Sequence, residues 1–130
     1  MNYEKIPQEL EEIGKAVVDA AYRVHKSLGP GLLEKVYEIA FCYEIRKRGF
    51  ICERQVYIPI VYDEIEFEEG LRLDVIIDNK VIVELKALEN VNPVWEAQII
   101  SHLKLTNNRL GFLINFNVPL IKNGIRRFVN

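Results

Sequence analysis

Two apolar runs, Leu71–Ile77 and Val81–Leu85, lie three residues apart and fix the centre of any fold open to this chain. They read as the two strands of a β-hairpin. Three charges interrupt them: Asp74 in the first run, Glu84 in the second, and Lys86 just beyond. Charged side chains are rare in such runs unless they are paired or bind something. Strand parity puts Arg72, Asp74 and Ile76 on one face, and Ile82, Glu84 and Lys86 on one face of the next strand. Loop length decides whether the two sets meet. A two-residue loop, Asp78-Asn79, sets Asp74 against Val83 on the wrong face. A three-residue loop, Asp78-Asn79-Lys80, pairs Ile77 with Val81 and brings Asp74 opposite Glu84.

Two carboxylates directly opposite repel, at a cost of ~0.2–1 kcal/mol in water and more when buried. A bound Mg²⁺ or Mn²⁺ reverses the sign of that interaction. Asp74 and Glu84 are hard oxygen ligands of the kind Mg²⁺ takes, and the carbonyl of Leu85 is a further candidate ligand. A metal there polarises a phosphoryl oxygen and acidifies a bound water. Lys86 points the same way as Glu84 and can orient water or offset charge on a phosphate. A structural alternative stands beside this one: Asp74 paired with Arg72 or Lys86, and Glu84 with Lys86.

The chain has 130 residues, enough for one core, and is read as a single domain over 1–130. Its 49% hydrophobic and 28% charged residues are those of a soluble globular protein. No apolar stretch reaches the roughly 20 residues that span a bilayer. Met1-Asn2-Tyr3-Glu4-Lys5 lacks the layout of a secretory signal, so a cytoplasmic location is expected. Cys42 and Cys52 form no C-x-x-C motif, which argues against zinc and for two buried, reduced thiols. The formal net charge of −2 is not the strongly basic balance of a non-specific nucleic-acid binder, although local patches decide such binding.

Apolar residues at Ile6, Leu10, Ile13, Val17, Ala20, Val24 and Leu28 predict an amphipathic helix over 6–28, ended by Gly29-Pro30-Gly31. A second helix is expected over 32–48, with Leu33, Val36, Ala40 and Tyr43 on one stripe and Gly49 as its stop. From Phe50 the period becomes two. Val56, Ile58, Ile60 and Tyr62 alternate, and Pro59 marks a sheet edge or a bulge. Asp63-Glu64 turns the chain, Ile65–Phe67 is a short partner strand, and Glu66, Glu68, Glu69 and Gly70 read as loop. After the hairpin, Val94–Leu105 is a helix with Trp95, Ile99, Leu103 and Leu105 inward. Leu110–Phe116 is a strand, and 117–130 a tail. A meander followed by a crossover helix predicts a mixed sheet flanked by helices, the last strand parallel to a hairpin strand.

Gly31-Leu32-Leu33-Glu34-Lys35-Val36-Tyr37 has the pattern G-x-x-E-x-x-Y at the head of the second helix. With Leu73–Ile76, Ile82–Ala87, Ala97-Gln98 and Gly111–Phe116, it closely resembles the bacterial and archaeal family named for that motif. That family is similar to the PD-(D/E)XK nuclease superfamily. The resemblance implies a restriction-endonuclease-like α/β fold, core αβββαβ, here with an extra N-terminal helix. It also implies metal held by Asp74 and Glu84, with Lys86 assisting the water. Glu34 would be the extra carboxylate from the first core helix and Gln98 the polar residue from the helix after the E-x-K strand. The residue before Asp74 is Leu73 where the motif has Pro.

Glu34 has a structural reason as well, because a negative charge suits a helix's first turn. Tyr37 is read as a core tyrosine or a partner of Glu34 or a phosphate. Gln98 and His102 are i, i+4 neighbours, with Gln98 preferred for the site. His25 is read as a helix-end residue. Arg46-Lys47-Arg48 with Arg54, and Arg126-Arg127, either touch a nucleic-acid backbone or are solvated helix ends. The expected function is Mg²⁺- or Mn²⁺-dependent hydrolysis of phosphodiesters, DNA before RNA. The alternative is a catalytically silent module of the same fold that binds nucleic acid or a protein. An enzyme for another phosphate ester is a third reading. Nucleic acid is the expected partner, a membrane is not, and an edge strand near Pro59 could pair two copies.

Overall fold

The computed structural model describes residues 5–130. The N-terminal stretch weighed above as a secretory signal falls, for residues 1–4, outside the described residues. Helix α1 (Gln8–Leu28) starts behind Pro7, whose carbonyl accepts the first amide bonds, from Leu10 and Glu11. Leu10, Ile13, Val17, Ala20 and Val24 of the expected stripe are buried, whereas Ile6 lies before the helix and Leu28 is exposed. Gly29 and Gly31 make the turn to α2 (Glu34–Lys47), both at positive φ, where a side chain would be strained.

Helix α2 is rotated from the expected stripe. Leu33 is 78% exposed and Tyr43 60%, while Tyr37, Phe41 and Ile45 are fully buried. The helix is apolar on both sides, so periodicity offers two solutions. Ion pairing makes the second one affordable. Glu38 and Glu44 flank the buried stripe and would be costly there alone. Glu38 accepts from Arg54 and Gln55, and Glu44 from Arg48 and Lys47.

Among the described residues the sheet has five strands in the order of the chain: β1 (Cys52–Tyr62), β2 (Ile65–Ile77), β3 (Val81–Lys86), β4 (Leu110–Asn115) and β5 (Ile125–Val129). β1 is an edge, and its register slips between Ile58 and Ile60, around Pro59 as expected. Two expectations need correction. β2 does not break into a short strand and a loop. It runs unbroken from Ile65 to Ile77, and beyond the register slip it pairs with β1 as Ile60↔Phe67, Val61↔Glu66 and Tyr62↔Ile65, making an exposed two-stranded arm. A ribbon wet on both faces needs no apolar face, so its composition looks like loop. The tail also contains β5, paired antiparallel with β4. Its two arginines and high exposure concealed it.

Helix α3 (Val94–Thr106) crosses over between β3 and β4, which run parallel as the handedness rule requires. Trp95, Ile99 and Leu103 are buried, but Leu105 is 54% exposed. One sheet face, with Val75, Val81, Val83, Leu85 and Phe112, packs on α1 and α2. The other, with Ile76 and Ile82, packs on Ile99 and Leu103 of α3. Cys42 and Cys52 are free and buried side by side. No helix among the described residues is long and apolar enough to cross a membrane.

Candidate active site

The β2–β3 turn is the three-residue one. Ile77 pairs with Val81, Ile76 with Ile82 and Val75 with Val83, and there the pairing stops. One more step of that register sets Asp74 across from Glu84. β3 itself continues to Lys86 alongside β4, so its last amides on the β2 side need another acceptor. Asp74 supplies it: its Oδ2 accepts the Leu85 N–H at 3.0 Å. The carboxylate that ends the ladder is thereby held next to Glu84.

Asp74 and Glu84 are each only 5% exposed. Neither forms an ion pair with Arg72 or Lys86, so the salt-bridge alternative is absent from the structure. The Glu84 carboxyl is pushed up to about 7. Burial is the main cause, and the neighbouring Asp74 adds to it through charge and hydrogen bonding. The opposing pull comes from His102, whose Nδ1 lies 2.8 Å from Glu84 Oε1. His102 thus occupies the position expected of Gln98, which is solvent-exposed. Helical geometry explains the exchange. At about 100° per residue, His102 lies about 60° from the line through Ile99 that faces the sheet, and Gln98 about 100°. That difference was available in the sequence.

Glu34 approaches from the other layer. The turn before it is clamped by Tyr37, whose hydroxyl donates to the Gly29 carbonyl at 2.6 Å and accepts from the Leu32 N–H at 3.1 Å. The Tyr37 ring stacks on Phe116 with centroids 4.7 Å apart. Tyr37 bonds neither Glu34 nor solvent; it fixes the head of α2, and so the place of Glu34. Burial and then the Asp74 charge raise the Glu34 carboxyl above its usual range, while Lys86 acts in the opposite sense. These influences place Glu34, Asp74 and Lys86 in one electrostatic neighbourhood. Lys86 Nζ lies 5.6 Å from the centre of the Trp95 ring.

Asn115, the polar residue in the Gly111–Phe116 run, pairs with Lys86. It is buried, and it bonds both the carbonyl and the amide of Leu88 and the amide of Asn117. It ties down both chain segments that leave the site. Among the described residues, no three His, Cys, Asp or Glu side chains converge into a ready cage. The donor set is two adjacent carboxylates with one more nearby. That suits a hard cation which keeps much of its water, and not zinc.

The basic residues expected at a nucleic-acid backbone are engaged within the protein. Arg46 donates to the Cys52 carbonyl, Lys47 and Arg48 to Glu44, Arg54 to Glu38, Arg126 pairs with Glu96, and Arg127 with Glu11. His25 is bound to the Val118 carbonyl at 2.7 Å. A family model described as the PD-(D/E)XK nuclease superfamily matches residues 11–128, from the first turns of α1 into β5. No curated protein and no solved structure matches the chain.

Proposed function

The chain belongs to the PD-(D/E)XK nuclease superfamily, and from that premise we propose that it is a metal-dependent nuclease that hydrolyses DNA in preference to RNA. One observation carries the reading: two buried carboxylates, Asp74 and Glu84, sit side by side with no lysine or arginine paired to either. Such a pair is stable only with a proton or a cation between its members.

Asp74 and Glu84 hold Mg²⁺ or Mn²⁺ in this proposal, with the Leu85 carbonyl as a third oxygen and Glu34 as a further carboxylate. The metal would polarise the scissile phosphate and acidify a bound water. The Leu85 amide keeps Asp74 aimed at the site. Lys86 offsets charge on the phosphate and orients the attacking water. His102 positions Glu84, and Gln98 can reach a phosphate or water only from the exposed rim of α3.

Incubation with plasmid, single-stranded DNA and RNA, with and without Mn²⁺, tests the activity. Glu84→Ala should abolish metal-dependent cleavage and keep a cooperative thermal transition. Undiminished cleavage by that variant rules out the assignment. Binding without cleavage by the parent would leave the silent module.

A further inference from the structure

A groove of about 530 Å³ crosses the outer face of α1 and shares no residue with the carboxylate cluster. Its floor carries Tyr22, Arg23 and Lys26, and its wall Leu120 and Lys122. The wall is firm. Ile121 is buried in the main core, and His25 holds the Val118 carbonyl. Arg23, Lys26 and Lys122 are exposed, and none makes an ion pair or hydrogen bond among the described residues. They differ in this from the basic clusters that the protein uses on itself. Arg48, also at the groove, is already paired with Glu44, and Asp19 is the one lining carboxylate. Tyr22 is 46% exposed, and Leu120 is exposed too.

Three free cations around an exposed aromatic ring, on a chain of net charge −2, mark a site for a polyanion that also has flat faces. The rest of the surface favours this side. Tyr57–Gly70, on the β1–β2 arm, holds Asp63, Glu64, Glu66, Glu68 and Glu69 and no lysine or arginine, so it repels phosphate. The groove wall also begins close to the candidate site in the chain. Asn115, beside Lys86, is followed by Phe116, whose amide bonds the Lys86 carbonyl, and Pro119 opens the wall.

We propose that this groove binds an unpaired stretch of nucleic acid, with a base against Tyr22 and Leu120 and phosphates on Arg23, Lys26 and Lys122. The proposal rests on the nucleic-acid reading above, and names the strand's path toward the site. Duplex bases stay stacked on each other, so Tyr22 contributes only when a base is free.

The test is fluorescence anisotropy of a labelled oligothymidylate in EDTA, where cleavage plays no part. The triple variant Arg23→Gln/Lys26→Gln/Lys122→Gln should bind at least ~10-fold more weakly. Its slope of log affinity against log salt should be shallower by about 2, the expectation for three lost phosphate contacts on a single strand. Tyr22→Ala should weaken the single strand and leave a duplex of equal length unchanged. All these residues are exposed, and an unaltered melting temperature checks the fold. Parent-like affinity and salt slope in the triple variant overturn the proposal, as does a parent that prefers duplex. Glu84→Ala should bind as the parent does, whether or not the parent cleaves. Loss of binding in Glu84→Ala alone would move the contact to the carboxylate cluster and also overturn the groove.

Discussion

The carboxylates of this chain fall into two groups that look alike in the sequence and behave differently in the fold. Asp63, Glu64, Glu66, Glu68 and Glu69 crowd the β1–β2 arm, and every one is exposed. Asp74 and Glu84 are only two, lie apart in sequence, and are almost entirely buried. On the arm, water and salt screen the repulsion. At the end of the β2–β3 ladder there is little water to screen it, His102 offsets it only in part, and Glu84 holds its proton up to about pH 7. Local charge density is therefore a poor guide to chemistry here. Burial against a second carboxylate, with no lysine or arginine paired to either, is the better one.

The largest expected contrast is in metal binding and cleavage. Asp74→Ala should remove the heat of Mn²⁺ binding in calorimetry and lower cleavage at least ~100-fold. The double variant Glu66→Gln/Glu68→Gln should change neither by more than about twofold. Equal losses in the two variants would erase the distinction between the regions.

Stability against pH gives the next largest effect. The folded-state carboxyl of Glu84 lies above its ordinary value of 4.5, at about 7. Below pH 4.5 it is protonated in both states and costs nothing. Between 4.5 and 7 the unfolded chain releases this proton first, so rising pH favours unfolding. The loss is complete above about 7 and amounts to about 3 kcal/mol. Denaturation in EDTA at pH 5 and pH 8 should show the drop in the parent and much less of it in Glu84→Gln. Saturating Mn²⁺ should restore the parent at pH 8. A parent equally stable at both pH values would mean that Glu84 is not buried beside Asp74 as described.

How far the site could be read in advance follows from the same physics. Parity reduced the question to the loop, because a strand has only two faces; the three-residue turn, one of the two lengths the sequence left open, is what brings Asp74 to Glu84. The parallel β3–β4 pair followed from the handedness of a crossover. The buried side of α2 did not follow, because its alternatives differ only in where Glu38 and Glu44 find partners, and those partners lie on β1 and at the helix end. The join through Glu68, Glu69 and Gly70 in β2 and the existence of β5 were hidden by exposure: neither stretch carries an apolar alternation to see. The basic clusters were visible, but their intramolecular bonds were not.

His102 sharpens the comparison on a smaller scale, since it is the neighbour that opposes the upward shift of Glu84. His102→Asn should weaken Mn²⁺ affinity by ~10-fold, within the range for groups that orient a metal's ligand. Cleavage at saturating Mn²⁺ should stay close to the parent's, because the histidine acts through Glu84. A variant whose maximal rate falls while its metal affinity holds would put His102 in contact with the substrate instead.

The smallest effect belongs to the arm, and it says whether the arm is truly free. Neutralising Glu66, Glu68 and Glu69 together removes like charges from a solvated ribbon. Stability should rise by no more than ~0.5 kcal/mol, and the gain should vanish in 1 M salt, about 3 Å of Debye screening. A larger change that salt does not touch would mean that these side chains are buried in solution. The nearest source of such burial is a second copy pairing along the open edge of β1, and a rise in sedimentation coefficient with protein concentration would identify it.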